Sequence, residues 1–193
     1  IILEKVIEKD LEPLKDLEEY KDFYTSRINL FKADYQAIKS YYFISDARYQ
    51  FNNRNFKNAA KQFTNVVYEI ELSLQNYLNS PENEALKNLY SGEYYNHLGW
   101  KYLSEAEVYR ESEDWDKAFQ TYELVRKQWE DASEYYLQSA FPGVGALQEA
   151  LLNASLNIDV YQAVCENEQQ LKLKIADLEN EIKSLNEKLY NAI

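Results

Sequence analysis

The sequence predicts an all-α protein built from long helices. Only four Gly and three Pro occur among its 193 residues, which leaves too little turn-forming material for the many short strands of a β fold. Apolar residues recur every three or four positions over long stretches, which is the periodicity of an amphipathic helix. We therefore expect antiparallel long helical hairpins, arranged as an α-solenoid or as a bundle, with a C-terminal coiled-coil helix.

The first three of five predicted helices are bounded by polar breaks. The first helix covers residues 14–51 and the second covers residues 56–79, with a run of Asn and Arg between them. The third covers residues 81–111, because Ser80 can cap it and the proline that follows suits the first helical position. We expect any interruption of this third helix to lie at Gly92.

The last two predicted helices are separated by the strongest turn signal in the chain. The acidic break at residues 111–114 caps a fourth helix, which continues to Ala140. Residues 141–145 read Phe-Pro-Gly-Val-Gly, a composition that ends a helix. A fifth helix starts at Ala146 and is expected to continue unbroken to the C-terminus.

Tyrosine is the residue in excess, with 18 copies among 193 residues. Its large apolar ring with one polar tip suits half-buried positions between helices, so we expect most tyrosines in the core or at its rim. In the first helix they fall on a predicted apolar stripe, which comprises Leu17, Tyr20, Tyr24, Ile28, Phe31, Tyr35, Ile38 and Tyr42.

Charge and composition exclude several classes of function. The net charge of −12 has the wrong sign for binding nucleic acid, which depends on Lys and Arg displacing phosphate counterions. No apolar run is long enough to span a bilayer, so we expect no membrane insertion. One His and one Cys cannot build the usual zinc site or an internal disulfide, so we expect no metal, no cofactor and a cytoplasmic location.

Because the chain contains no Met, we expect it to be part of a longer protein.

No catalytic constellation is recognisable in the sequence. His97 has no Ser or Cys partner near it in the chain and is expected on a helix surface or between helices. Cys165 has no His nearby in sequence and is expected to be a buried, unreactive thiol. We therefore expect a protein without enzymatic activity.

The chain matches itself at an offset of 59 residues. The simplest interpretation is a repeated helical hairpin, with units at residues 35–79 and 94–138. Small residues at matching positions would allow two antiparallel helices to approach closely. The identical pairs include Ala47 with Ala106, Ala59 with Ala118, Val66 with Val125, Tyr77 with Tyr136, and Leu78 with Leu137.

Each unit resembles the tetratricopeptide repeat, which has a small residue midway along its first helix and an Ala followed by an aromatic on its second. The residues that carry this resemblance are Ala47, Phe56, Ala59, Phe63 and Val66 in one unit, and Ala106, Trp115, Ala118, Tyr122 and Val125 in the other. The opening signature of the family is matched by Tyr95, Leu98, Gly99 and Tyr102. The resemblance implies stacked hairpins with a concave groove.

The resemblance also implies which residues line that groove and bind a partner. They are Tyr41, Ser45, Arg48 and Asn52 on the first unit, and Trp100, Ser104, Glu107 and Arg110 on the second. Two arginines among aromatic residues would form a clamp for an acidic peptide or a C-terminal carboxylate. In the alternative, an ordinary bundle without a groove, these positions are solvated helix residues.

Residues 146–193 are predicted to form a unit separate from the hairpin domain at residues 1–140. Its first part would be a helix that caps the last hairpin, and residues 171–193 would continue as a coiled coil. Ile at position a with Leu at position d favours a parallel two-stranded coil, and in the alternative the same stripe folds back onto the hairpins. The predicted dimerisation residues are Leu171, Ile175, Leu178, Ile182, Leu185 and Leu189.

Together these patterns predict a non-enzymatic adaptor. It would bind a protein, peptide or helix partner through the groove and form a homodimer through the C-terminal coil. The alternative is a structural component of a larger assembly or filament, in which no groove binds a peptide.

Overall fold

The fold is all-α, as the sequence predicts. A computed structural model describes residues 5–12, 21–78 and 84–192, and these ranges contain no strand. The start of the first predicted helix and the cap at Ser80 lie outside the described residues. A short π-helical segment, Ile7–Leu11, precedes six α-helices: α1 (Lys21–Asn52), α2 (Phe56–Leu78), α3 (Glu84–Glu111), α4 (Trp115–Ser139), α5 (Gly145–Leu156) and α6 (Ile158–Ala192).

Consecutive helices pack against each other along the chain. Helix α1 packs on α2, α2 on α3 and α3 on α4, while α5 and α6 both pack on α4. The π-helical segment packs on α1. Short turns join α1 to α2 and α3 to α4, so each of these pairs is an antiparallel hairpin. This order of packing is compatible with a helical-repeat-like fold.

The turns of the two hairpins have the same geometry. The backbone N–H of Arg54 donates to the carbonyl oxygen of Phe51 at 2.9 Å, and that of Glu113 donates to Arg110 at 3.1 Å. Arg54 and Glu113 both adopt the left-handed conformation, with φ of 58° and 60°. These two positions are 59 residues apart, which is the offset at which the sequence matches itself.

The buried face of α1 differs in part from the predicted apolar stripe, of which Ile28 is buried. Small side chains on this face let α1 approach α2 so closely that the hydroxyl of Ser73 donates to the carbonyl oxygen of Ala33 at 2.9 Å. Ile38 and Tyr42, which were predicted on the apolar stripe, are exposed. The prediction is therefore wrong at Ile38 and Tyr42, because small residues such as Ala37 allow the close packing that large apolar residues would prevent. The buried residues are Ile28, Ala33, Ala37, Ser40, Ile44 and Ala47.

Two hydrophobic clusters fill the hairpins, and Trp100 joins them. Its ring stacks on Phe63 of the first hairpin at 6.0 Å between centroids, and it meets Trp129 of the second edge-on at 5.6 Å. The first cluster consists of Ile44, Ala47, Ala59, Phe63, Val66 and Ile70. The second consists of Leu103, Ala106, Ala118, Tyr122, Val125, Trp129, Ala132, Tyr136, Leu151, Ile158 and Cys165.

Helix α3 continues through Gly92 without the predicted interruption. Gly92 and Gly99 are instead points of close contact with α4. A Cβ on Gly92 would lie 2.6 Å from the ring of Tyr136, and a Cβ on Gly99 would overlap the indole of Trp129. The glycines are therefore required by packing between helices rather than by a turn.

The C-terminal helix is divided in two at Asn157. Helix α5 ends at Leu156 and α6 begins at Ile158, and the N–H of Asn157 donates to the carbonyl oxygen of Asn153 at 3.1 Å. Asn favours such helix ends because its side chain competes for backbone hydrogen bonds. The prediction of an unbroken helix from residue 146 is therefore wrong, although both parts pack on α4.

Candidate protein-interaction surfaces

The predicted groove residues of the first hairpin are accessible. Tyr41, Ser45, Arg48 and Asn52 are all exposed on α1. Among the described residues, no carboxylate forms an ion pair with Arg48. This side of α1 therefore retains the polar and aromatic groups that could contact a partner.

Trp100 is a core residue rather than part of an open surface. Its indole is half-buried and is packed on three sides by Phe51, Phe63 and Trp129. An interaction role for Trp100 would require the junction of the two hairpins to open.

Glu107 and Arg110 form a network of hydrogen bonds within the chain. The Nη2 atom of Arg110 donates to Glu107 at 2.8 Å, and its Nη1 atom donates to both carboxylate oxygens of Glu168 at 2.7 and 2.5 Å. The hydroxyl of Tyr122 donates to the other oxygen of Glu107 at 2.5 Å. Only 11% of the Arg110 side chain is exposed. The clamp predicted from Arg48 and Arg110 thus has one arm already engaged by carboxylates of the chain itself.

The start of α6 covers the groove positions of the second hairpin. Val160, Tyr161 and Val164 lie beside Glu107 and Arg110 around a cleft of about 190 Å³. A second ion pair, between Arg126 and Asp159, fastens α6 to α4. This contact was not predicted from the sequence, although residues 158–170 carry a signal for it: they combine apolar residues at helical spacing with three carboxylates and no Lys or Arg.

A polar cluster is buried between the hairpins close to Arg48. The Nε2 atom of His97 lies 3.3 Å from a carboxylate oxygen of Glu93. Burial acts to raise the pKa of Glu93, but hydrogen bonds from His97 and Tyr136 and the charge of Arg48 outweigh it, so this pKa lies below its usual value. His97 is 2% exposed, which agrees with its predicted place between helices.

Cys165 is buried and unpaired. Burial raises the pKa of its thiol, although the charge of Arg110 acts in the opposite direction. A raised pKa lowers the fraction of reactive thiolate at neutral pH, as expected for an unreactive thiol.

The C-terminal half of α6 extends away from the hairpins. At the level of the hairpin turn, Lys172 forms an ion pair with Glu113 at 2.8 Å, and Leu171 and Ile175 line a cleft beside Trp115. The predicted dimerisation residues are each between 49% and 62% exposed: Leu171, Ile175, Leu178, Ile182, Leu185 and Leu189.

The described ranges 5–12, 21–78 and 84–192 contain neither a metal-binding cluster nor a membrane-spanning helix. No group of three or more His, Cys, Asp or Glu residues in them is arranged to hold a metal ion. None of the helices in this part of the chain is both long and apolar enough to cross a membrane.

Comparisons of the chain with protein-family models, with curated proteins and with solved structures give no match.

Proposed function

We propose that the chain is a non-enzymatic protein-interaction module that forms a homodimer through the C-terminal half of α6. The observation that carries this proposal is the stripe from Leu171 to Leu189 on α6, whose six apolar residues are each between 49% and 62% exposed. A stripe of six large apolar residues on a single helix exposes apolar surface to water, and burial against a second helix removes that cost.

The residue choice along the stripe supports a second copy of the same helix as its partner. Ile175 and Ile182 occupy a positions, and Leu178 and Leu185 occupy d positions, a combination typical of parallel two-stranded coils. In a parallel pair, Lys174 at position g of one copy faces Glu179 at position e of the other. The stripe spans about 27 Å at 1.5 Å per residue. A coil this short associates weakly, so the dimer should dissociate when the protein is diluted.

The hairpins support an interaction role of the tetratricopeptide type. Their turns share one geometry, and Ala47, Ala59, Ala106 and Ala118 are all fully buried at the positions where this family places small residues. Since α6 covers the second hairpin, the accessible part of the groove side is on α1.

Sedimentation equilibrium over a range of protein concentrations tests the dimer. The wild type should shift from monomer to dimer, and Ile182→Asp should remain a monomer because it places a charge in the coil seam. Lys183→Asp, a change at the neighbouring outward-facing position, should dimerise as the wild type does. A monomeric wild type at all concentrations would contradict the proposal.

A cysteine placed in the seam tests the orientation of the two helices. In a parallel coil, Leu185→Cys lies opposite itself across the dimer axis, within the distance that a disulfide requires. Oxidation should then yield a covalent dimer of this variant and none of Asn180→Cys on the outer face. Efficient cross-linking of both variants would indicate random collision.

The alternative function is a structural component of an assembly without a peptide groove. It is favoured by the cover that α6 places over Glu107 and Arg110. Electron microscopy distinguishes the two, because an assembly component should form open-ended particles where an adaptor forms discrete dimers.

A further inference from the structure

One face of α1 has no neighbour in the described part of the chain. Ile38, Tyr42 and Tyr49 are 63%, 79% and 65% exposed. With Ser45 and Asn52 they follow a spacing of four, three, four and three residues. This spacing places all five on one side of the helix, and it is the pattern by which one helix packs along another.

The tip of the same hairpin carries exposed cations, of which Arg48 also acts through its charge on the carboxylate of Glu93. Arg48, Arg54, Lys57 and Lys61 are all exposed, and none forms an ion pair with another described residue. Between residues 47 and 68 there is no carboxylate at all. In a chain with a net charge of −12, this tip is a local basic surface.

The second hairpin is acidic or neutral at the matching positions. At an offset of 59 residues, Arg48, Arg54, Lys57 and Lys61 correspond to Glu107, Glu113, Asp116 and Gln120. The basic character is therefore specific to the first hairpin and is not a requirement of the turn that both hairpins share.

The chain itself shows what kind of segment covers such a hairpin. The start of α6 is an acidic amphipathic helix. It places Glu168 on Arg110, Asp159 on Arg126 and Tyr161 against the ring of Tyr122, with 5.9 Å between the ring centroids.

The N-terminal segment docks on the early part of α1 by similar means. Ile7 is 4% exposed, and the carboxylate of Glu12 binds Lys32 at 2.7 Å. The early part of α1 is thus covered by a segment that supplies one apolar side chain and one carboxylate. The later part of α1 offers the groups that such a segment would contact, apolar side chains and cations, and these are exposed.

We propose that the exposed face of α1, together with the basic hairpin tip, binds an acidic amphipathic helix of a partner protein. Apolar residues of that helix would pack on Ile38, Tyr42 and Tyr49, and its carboxylates would reach Arg48 and Arg54. A polypeptide fits better than a nucleic acid, because most of the face is aromatic and aliphatic and because the net negative charge of the chain repels a long polyanion. The inference deepens the proposed interaction module by naming its partner class, and it does not depend on the coil.

The test uses a fluorescein-labelled synthetic peptide of about 21 residues, long enough to form a helix on docking. The peptide has Leu at four-three spacing and Glu at the flanking positions, and a scrambled peptide of equal composition is the control. Fluorescence anisotropy with the full chain should show salt-sensitive binding of the patterned peptide, and the scrambled peptide should bind at least tenfold more weakly. Equal binding of the two peptides would overturn the inference.

Variants locate the binding surface. Arg54→Glu introduces the residue that the second hairpin carries in the same backbone conformation, so the turn should remain intact. Arg54→Glu and Tyr42→Ala/Tyr49→Ala should each weaken binding about tenfold. Lys127→Glu, an equal charge change on an exposed position of α4, should leave it unchanged. Unchanged binding by the α1 variants would overturn the inference.

Two further measurements separate this surface from others. Ile182→Asp should bind the patterned peptide as the wild type does, even where it abolishes dimerisation, whereas loss of binding would assign the peptide to the coil instead. A single-stranded RNA oligonucleotide of similar charge should compete poorly with the peptide. Stronger binding of the RNA would overturn the choice of a polypeptide partner.

Discussion

The guanidinium of Arg110 binds the carboxylate of Glu168, which lies 58 residues further along the chain. Because Arg110 is on α3 and Glu168 on α6, this pair joins the last hairpin to the helix that carries the exposed stripe. On its other side the guanidinium binds Glu107, whose second oxygen accepts the hydroxyl of Tyr122. Three helices are thus joined through one arginine.

Removal of Arg110 should cost more stability than removal of its partner. Arg110→Ala leaves the buried carboxylate of Glu107 without its cation, and the free energy of unfolding should fall by about 3 kcal/mol. Glu168 is 42% exposed, so Glu168→Gln should cost about 1 kcal/mol or less. Urea denaturation monitored by circular dichroism measures both values, and equal losses would contradict this division of roles.

Gly99 should be intolerant of even the smallest side chain. Gly99→Ala places a methyl group against the indole of Trp129, and overpacking of this kind costs about 1–3 kcal/mol. This loss should exceed the gain of about 1 kcal/mol in helix propensity. Gly145→Ala is the control, because no atom lies near its added Cβ. Thermal denaturation should show a lower melting temperature for Gly99→Ala alone.

The fold could be predicted from the sequence further than the sites could. Scarce Gly and Pro and helical periodicity were sufficient to predict the helices, because these signals are local. Part of the buried face of α1 was missed because Ala33 and Ala37 are weakly hydrophobic, and only the approach of α2 reveals their role. Likewise, Arg110 and Glu168 are far apart in sequence, and no local pattern shows that they meet. Periodicity did indicate the stripe on α6, since its members lie on one helix.

Glu93 should contribute to acid sensitivity. Although burial alone would raise the pKa of Glu93, its hydrogen bonds from His97 and Tyr136 and the charge of Arg48 lower it below the unfolded value of about 4.5. A pKa that is lower in the folded state stabilises the fold above the unfolded pKa, and this contribution is lost as the pH falls. Stability measured from pH 6 downward should therefore fall less steeply in Glu93→Gln than in the wild type. Glu166→Gln, at an exposed position without an ion pair among the described residues, should keep the wild-type slope.

Buried tyrosines should make the protein unstable in alkali. Burial is the largest cause that raises the pKa of Tyr77 and of Tyr122, and hydrogen bonds to Asp34 and Glu107 raise these pKa values further. The unfolded chain releases these protons near pH 10, whereas the folded chain retains them. The stability that this difference provides is complete below pH 10 and is lost as the pH rises above it. Phenolate absorbance should therefore rise together with the loss of helical circular dichroism.

Substitution of one buried tyrosine should reduce this alkaline sensitivity. Tyr77→Phe keeps the ring that stacks on Tyr90, at 4.7 Å between centroids, and removes the hydroxyl that donates to Asp34 at 2.5 Å. The variant should be less stable at neutral pH by about 2 kcal/mol, because a hydrogen bond to a charged acceptor is lost. Its stability should nevertheless fall less steeply above pH 10, since one proton fewer is released on unfolding. Tyr190→Phe, at a position that is 85% exposed, is the control and should follow the wild-type curve. Parallel curves for Tyr77→Phe and the wild type would show that Tyr77 ionises equally in the folded and unfolded chains.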